Sequence, residues 1–237
     1  NSKRLPNKVL LKILNKPTLL HLIERLKRSK KIENIVVATS TNKKDKKIIN
    51  LCKKNNLDFY RGSELNVMKR VYLTAKKFNA DPIVQITGDC PLIDPKIVDK
   101  VINKFLKNKL DFCSNALIRS YPDGMDVCVF SFKTFKKVQK LSGTNKKYHE
   151  HTALYYLKNK NKFKHMNILA PKRLKYPKMG LTLDEYLDFK LIKKIFEYFY
   201  KRNNYNFSCE NIVNLMLKNK SFFNINKKVK RKGIPKI

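Results

Sequence analysis

The stretch VQITGDCPLIDP (residues 84–95) contains an apolar run that ends abruptly at Gly88 and Asp89. A short run of this kind is typical of a strand that is buried in a parallel sheet. In open parallel sheets, ligands bind beyond the carboxyl ends of the strands, where a glycine permits close approach. We therefore predict that Asp89 projects into a binding crevice, and that Asp94, just before Pro95, caps the following helix.

Helix-like and strand-like segments alternate around this stretch. KPTLLHLIERLKRS (16–29) has apolar residues at helical spacing, and ENIVVATS (33–40) is a short β-branched run. Further helices are expected at residues 45–55 and 65–78, with LDFYRGS (57–63) as the strand between them. This alternation predicts an α/β protein with a mostly parallel, Rossmann-like sheet that has helices on both faces.

The remainder of the chain continues this pattern through a β-rich middle. Helices are predicted at residues 96–108, 146–159, 185–201 and 209–217, and strands at 111–116, 125–131 and 163–169. We expect the middle region, residues 111–170, to depart from simple alternation and to form a substrate lid or a dimer surface. The predicted organisation is one domain at residues 1–220, followed by a basic C-terminal tail at 221–237.

The chain is strongly basic, with a net charge of +36 over 237 residues. Such a charge favours binding to the phosphate backbone of nucleic acids, so one alternative is a protein that binds RNA or an anionic surface. However, only nine of the 54 basic residues are arginine, and the lysines are spread over the whole length, as an AT-rich coding sequence would give. We therefore predict no specific nucleic-acid partner, and a solvated tail for the basic run NKKVKRKGIPKI (226–237).

The sequence gives no indication of a zinc site, a disulfide framework or a membrane span. Its five cysteines are odd in number and widely scattered, which favours a reducing compartment. No apolar segment approaches the roughly 18 residues of a membrane-spanning helix. We expect a cytoplasmic protein whose 42% hydrophobic content is sufficient for a substantial core.

A second carboxylate follows a short apolar run in GLTLDEYLDF (180–189). Asp184 either caps the helix that follows or lies at a strand end, as Asp89 does. In the second case the two acids would share a divalent cation. Mg²⁺ prefers such oxygen ligands together with substrate phosphates, so it is the metal that this arrangement indicates. Both interpretations of Asp184 remain open at this point.

The first residues, NSKRLPNKVL (1–10), place Arg4 and Lys8 on either side of a Leu-Pro turn. A forked guanidinium and an ammonium on one loop are suited to binding a polyphosphate.

Two acidic segments are candidates for the other side of a binding site. In YPDGMD (121–126), Asp126 is the candidate for substrate binding, because Asp123 fits a Pro-Asp-Gly turn. In YHEHT (148–152), Glu150 and His151, next to His149, either contact a substrate or form the start of a helix.

Taken together and in this order, NSKRLPNKVL, ITGDCPLIDP, YPDGMDV, EHT and LTLDEYLDF resemble the motifs of the SpsF-like cytidylyltransferases. That family, named after a spore coat polysaccharide biosynthesis protein, is related to the CMP-Kdo and CMP-neuraminate synthetases. The resemblance implies a sheet of the nucleotide-diphospho-sugar transferase type, Mg²⁺ as cofactor and a homodimer. It also implies CTP and a sugar, an acidic one, as substrates, with a CMP-sugar for surface polysaccharide and pyrophosphate as products.

The resemblance also implies roles for individual residues. Arg4 and Lys8 match the basic residues that bind the triphosphate of CTP, and Asp89 and Asp184 match the two acids that hold Mg²⁺. Arg4, Lys8 and Asp89 are thereby the expected catalytic residues. The other residues expected in the nucleotide pocket are Ala38, Thr39, Ser40, Arg70 and Gly88.

The chain departs from the family pattern at several positions. Asn7 stands in place of a glycine, Cys128 in place of an acidic residue and Tyr186 in place of a proline. The chain also starts inside the loop that follows the family's first strand, so that strand is expected to be missing. An inactive family member that acts as a structural partner is therefore a further alternative.

Overall fold

The computed structural model describes residues 4–143 and 145–231. Its helices are α1 (Thr18–Leu26), α2 (Lys46–Lys54), α3 (Val67–Lys77), α4 (Pro95–Lys107), α5 (Phe132–Ser142), α6 (Leu154–Lys158), α7 (Tyr186–Tyr200), α8 (Cys209–Lys218) and α9 (Lys220–Phe223). Its strands are β1 (Lys12–Ile13), β2 (Lys16–Pro17), β3 (Val36–Ser40), β4 (Asp58–Gly62), β5 (Ile83–Gln85), β6 (Phe112–Ser114), β7 (Cys128–Phe130) and β8 (His165–Asn167). Helices and strands alternate from α1 to α4, which confirms the predicted α/β class.

The described strands pair in three groups. β1 and β2 form a short antiparallel hairpin, and β3 pairs in parallel with β4. The other four strands form a sheet in the order β5-β7-β6-β8. Within it β7 is antiparallel to β5 and β6, whereas β8 is parallel to β6, so three of the four strands point the same way. The reversed strand lies in the middle region, where a departure from simple alternation was predicted.

Two apolar clusters cover the two faces of the four-stranded sheet. Val129 of β7 faces a large cluster that includes the apolar sides of α1, α4, α7 and α8. Phe130, the next residue, faces a second cluster with Phe112, Phe135 and Tyr156, at ring-centroid distances of 4.8, 4.9 and 5.4 Å from Phe130. Successive side chains of a strand point to opposite faces, so helices pack on both sides as predicted. Burying each large apolar side chain contributes about 1.5–3 kcal/mol.

Asp94 caps α4, as its position before Pro95 predicted. One oxygen of its side chain accepts a hydrogen bond from the backbone nitrogen of Lys96, at 2.9 Å. The other accepts from the backbone nitrogen of Cys209, at 2.7 Å. Asp94 therefore also fixes the start of α8, which the sequence did not indicate.

The helix predicted at residues 146–159 is interrupted in the structure. A 3₁₀ turn spans Lys146–Tyr148, and α6 starts only at Leu154. Between them, the carbonyl of His149 accepts a hydrogen bond from the backbone nitrogen of Met68 at 3.0 Å, and the hydroxyl of Thr152 donates to Gln85 at 2.6 Å. These bonds to α3 and β5 hold the segment in a non-helical path.

α5 was not predicted from the sequence. The side chain of Ser131 accepts from the backbone nitrogen of Thr134, at 3.2 Å, and so caps its first turn. Phe135 and Val138, three residues apart, are both fully buried. This capping residue and spacing were present in the sequence and would have indicated the helix.

The start of the basic run at residues 226–237 is packed rather than solvated. Asn226 is 5% exposed, and the guanidinium of Arg231 contacts the buried carboxylate of Asp188. The expectation of a solvated tail was wrong for these two residues, because each donates hydrogen bonds into the domain. Residues 232–237 lie outside the described part of the chain, and the boundary at residue 220 stays a prediction. Within residues 4–143 and 145–231, none of the helices combines the length and the apolar character of a membrane span.

Candidate active site

Two chain segments meet in the turn that follows β5. The backbone nitrogen of Leu183 donates to the carbonyl of Asp89, at 2.8 Å. This bond brings the residue after Leu183, which is Asp184, beside Asp89. The sequence left open whether Asp184 caps a helix or lies at a strand end and shares a cation with Asp89. Residues 181–183 form no strand in the structure, but this irregular segment brings Asp184 beside Asp89.

Lys8 lies between these two carboxylates. Its ammonium nitrogen is 2.7 Å from Oδ2 of Asp89 and 3.2 Å from Oδ1 of Asp184. The three side chains are 16%, 22% and 20% exposed respectively, so they are shielded yet open to a ligand. A 3₁₀ turn at Lys8–Leu10 presents the lysine, and Thr18 holds that turn by donating its hydroxyl to the carbonyl of Lys8 at 2.9 Å.

The electrostatics of Lys8 and Asp89 favour the charged form of each. Burial lowers the pKa of Lys8, but the charges of Asp89 and Asp184 outweigh burial and leave that pKa above its ordinary value. Burial raises the pKa of Asp89, but the charge of Lys8 and hydrogen bonds from Lys8 and Thr87 bring it below its ordinary value. Lys8 and Asp89 are therefore both charged at neutral pH and can attract ions of opposite sign.

Arg4 extends the positive side of the site. Its Nη2 is 3.3 Å from Oδ2 of Asp184, and its Nη1 is 2.9 Å from Oε1 of Glu185. The predicted polyphosphate-binding residues Arg4 and Lys8 are thus brought together, with Asp184 as a shared partner.

Asp184 is not the cap of α7, which settles the question left open by the sequence. The N-cap is Glu185, and α7 begins at Tyr186. Oδ2 of Asp188 accepts from the backbone nitrogens of Asp184 and Glu185, at 3.1 and 2.9 Å. Asp188 thus accepts the hydrogen bonds of the two backbone donors before α7. The carboxylate of Asp184 is not needed as a cap and faces Lys8 instead.

Asp126, a predicted substrate-binding residue, lies in a second ion-pair group. Arg119 donates to its two carboxylate oxygens, at 3.0 and 3.4 Å, and also to Asp123 at 2.6 Å. Burial raises the pKa of Asp126 to about 6; Arg119 opposes this effect, whereas the charges of Asp123 and Asp89 add to it. Arg119 was not predicted from the sequence, although it stands seven residues before Asp126.

The predicted pocket residues at the end of β3 are held by Asp45. Its Oδ2 accepts from the hydroxyls of Thr39 and Ser40, at 2.8 and 2.5 Å. Ser40 pairs with Gly62 across to β4, and the side chain of Arg70 packs against Gly62. The structure therefore brings Ser40 and Arg70 to one edge of the β3–β4 pair. Ala38 precedes Thr39 and Ser40 on β3, and Gly88 directly precedes Asp89 in the turn that follows β5.

Glu150 and His151 lie in the irregular segment before α6, so they do not start that helix. Glu150 is exposed and His151 is half-buried. The next residue, Thr152, donates to Gln85, the last residue of β5. This bond places the segment beside the strand that leads to Asp89.

The Asp89–Asp184 pair fits a magnesium ion. Both carboxylates already converge on one cation, the ammonium of Lys8. No group of three or more His, Cys, Asp or Glu residues that could hold a metal occurs in residues 4–143 and 145–231. Mg²⁺ commonly uses only one or two carboxylates and takes its remaining ligands from substrate phosphates and water, so two acids are sufficient.

Comparison with known proteins identifies the family. The family model described as Cytidylyltransferase matches residues 1–229. This chain belongs to the cytidylyltransferase family. It is therefore a nucleotidyltransferase. The sequence motifs predicted a cytidylyltransferase, and this prediction is confirmed.

Three relatives illustrate the similarity of this cytidylyltransferase to other proteins. A solved structure of a cytidylyltransferase from Leptospira borgpetersenii has a TM-score of 0.88 at 32% identity, covering 98% of this chain and 94% of that one. An uncharacterised protein of Methanocaldococcus jannaschii is 38% identical over 98% of this chain and 93% of its own length. The spore coat polysaccharide biosynthesis protein SpsF of Bacillus subtilis is 28% identical over 83% of this chain and 82% of its own.

Proposed function

We propose that this cytidylyltransferase transfers CMP from CTP to a hydroxyl of a sugar and releases pyrophosphate. The observation that carries the proposal is the convergence of Asp89 and Asp184 on Lys8, with Arg4 alongside. Two carboxylates and two cations at one point are what a nucleoside triphosphate with its metal requires.

In this reaction the protein positions the two substrates and neutralises the charge of the phosphates; it forms no covalent intermediate. The sugar oxygen attacks the α-phosphorus of CTP, and the bond to the β-phosphate oxygen breaks, so pyrophosphate departs with the electron pair. Lys8 and Arg4 bind the phosphates and stabilise the negative charge that develops on the leaving group. Asp89 and Asp184 would hold Mg²⁺, which supplies further neutralisation of the phosphate oxygens.

On the sugar side, we assign Asp126 to the attacking hydroxyl. Its raised pKa, about 6, makes it a proton acceptor that is matched to neutral pH. Its ion pair with Arg119 fixes the carboxylate in one orientation. We assign Glu150 and His151 to the sugar because their segment is bonded to the end of β5.

We further propose Thr39, Ser40 and Arg70 as residues of the nucleotide pocket, since they lie together at the edge formed by β3 and β4. The substrate that we propose is an acidic sugar, and the product serves surface polysaccharide synthesis in the cytoplasm. The name of the Bacillus subtilis relative supports the polysaccharide role. We propose a homodimer as the working form, which sedimentation of the purified protein would test.

The test is pyrophosphate release from CTP with MgCl₂ and a panel of acidic and neutral sugars. We expect release with CTP and at least one acidic sugar, and much less with ATP or GTP in place of CTP. Omission of the sugar is the control for simple hydrolysis. Release that is equal with and without every sugar would contradict the proposed acceptor, and equal use of all nucleotides would contradict the proposed preference for CTP.

A further inference from the structure

Asp188 is a fully buried carboxylate to which the sequence assigned no role; its exposure is 0%. Oδ2 holds the backbone nitrogens of Asp184 and Glu185, as described above. Oδ1 accepts from the side-chain nitrogen of Asn226, at 2.8 Å, and from Nη2 of Arg231, at 2.6 Å. A buried carboxylate is stable only when it is paired and hydrogen-bonded, and here a cation from the far end of the described chain completes the set.

The segment that supplies these partners, residues 225–231, is called the arm below. It contacts other parts of the candidate site as well. The side chain of Asn226 donates to the carbonyl of Gly180, at 2.9 Å. Nη1 of Arg4 donates to the carbonyl of Lys230, at 3.2 Å. Nε of Arg231 is 3.8 Å from Oδ2 of Asp123. The arm therefore joins the loop that carries Arg4, the segment leading to Asp184 and the loop that carries Asp123.

We propose that Arg231 is a positioning residue for the transferase reaction. Through Asp188 it fixes the turn at residues 184–185 and so directs the carboxylate of Asp184 toward Asp89 and Lys8. This inference rests on the proposed function. Partners of this kind, one step removed from a metal-binding acid, typically change metal affinity or activity 10–100-fold when they are removed.

Gly180 provides a way to displace Arg231 without altering it. A Cβ atom at Gly180 would lie 1.9 Å from Nη2 of Arg231, so an alanine there must push the guanidinium away. The atom in the way belongs to a flexible side chain, and the substitution leaves Asp184 and Asp188 unchanged. Gly180→Ala should therefore reproduce the effect of removing the guanidinium.

The experiment compares Arg231→Met, Arg231→Lys and Gly180→Ala with the unaltered protein. Lys228→Met is the matched control, because Lys228 is an exposed cation of the same arm. Two quantities are measured: the MgCl₂ concentration for half-maximal pyrophosphate release, and the exchange rates of the Asp184 and Glu185 amides by NMR without nucleotide.

We expect Arg231→Met and Gly180→Ala to raise the half-maximal MgCl₂ concentration about 10-fold. Both should also accelerate exchange of the two amides, because the carboxylate that holds them has lost its fixed orientation. Arg231→Lys keeps the positive charge but loses the forked guanidinium, so both quantities should change less than they do in Arg231→Met. Lys228→Met should change neither quantity.

An unchanged metal requirement and unchanged amide exchange in Arg231→Met would overturn the proposal. A loss of thermal stability with a normal metal requirement would overturn it too, since Arg231 would then be merely structural. If Arg231→Met does not fold, Gly180→Ala decides by the same criteria. If the unaltered protein releases no pyrophosphate, the proposed function fails, whereas the amide exchange still shows whether Arg231 controls the turn at Asp184.

Discussion

Lys8 and Asp89 form an ion pair with 2.7 Å between Nζ and Oδ2, although 81 positions separate them in the sequence. The pair joins the 3₁₀ turn before β1 to the turn that follows β5. In the proposed function the same lysine binds the phosphates of CTP, and the same aspartate binds their metal. This one ion pair therefore connects the residue that binds the phosphates with the residue that binds the metal.

Lys8→Met is expected to lower kcat/KM for CTP at least ~100-fold, because a cation that stabilises the leaving group is lost. The substitution should also raise the pKa of Asp89, since the charge of Lys8 is what lowers it. Steady-state kinetics measure the first effect, and NMR titration of the carboxyl group measures the second.

Lys12→Met is the control for Lys8→Met, because Lys12 is an exposed lysine on β1, four residues away. It should leave both quantities unchanged. A normal kcat/KM in Lys8→Met would refute the assignment of this lysine to the phosphates.

Asp89→Asn is expected to cut turnover at least ~100-fold, because the charge that would hold the metal acts on the transition state. The side chain keeps its size, so the fold should be retained. Asp58→Asn, at an exposed position that begins β4, is the matched control and should behave as the unaltered enzyme. Turnover of Asp89→Asn within a few-fold of normal would argue against the metal assignment.

The activity should depend on pH through Asp126, whose pKa is raised to about 6 by burial. Only the ionised carboxylate accepts a proton, so kcat/KM should rise with pH up to a plateau, with an apparent pKa near 6. Asp126→Asn should lower activity and abolish this rise. If kcat/KM of Asp126→Asn still increased with pH around 6, the increase would have to come from a group other than Asp126.

The stability should show the opposite trend with pH at this residue. The pKa of Asp126 is higher in the folded protein than its ordinary value of 3.8, so the folded state binds the proton more tightly. The contribution of Asp126 to stability therefore decreases as the pH rises from about 4 to about 6. Thermal unfolding of the unaltered protein and of Asp126→Asn across this range measures the difference. Identical pH dependence of the two melting temperatures would contradict the raised pKa.

Asp94→Ala is expected to destabilise the fold by about 3 kcal/mol, by removing a helix cap and leaving a buried backbone donor unpaired. Both losses follow from the bonds to Lys96 and Cys209. Urea unfolding measures the change, and Asp94→Asn, which retains an acceptor oxygen, should cost less. Equal losses for both variants would show that the charge of Asp94, rather than its hydrogen bonds, is what stabilises the protein.

Much of the fold could be predicted because it depends on local patterns. The cap at Asp94 and the periodicity of α1 are properties of a few neighbouring residues, and both were predicted correctly. The prediction of one helix at 146–159 was wrong. Hydrogen bonds to Met68 and Gln85, which are distant in the sequence, outweigh the local preference of this segment for a helix. The reversal of β7 is likewise fixed by its two neighbouring strands.

The candidate site shows the same division. Arg4, Lys8, Asp89 and Asp184 could be selected from motifs because each stands in a recognisable segment. Arg119 and Arg231 could not, because an isolated arginine in a chain with 54 basic residues has no distinguishing pattern. Asp188 lies in the motif LTLDEYLDF, but its role depends on Asn226 and Arg231, which are distant in the sequence.

The sequence by itself determined that this protein has an α/β fold, that acids follow two of its apolar runs and that it resembles cytidylyltransferases. These properties follow from periodicity and from motifs contained in short segments. Only the tertiary structure decided that Asp184 faces Lys8 and does not cap α7, and that Asn226 and Arg231 are packed against the domain. The reason is physical: the partners of Asp184 and Asp188 come from both ends of the chain, and folding alone brings those ends together.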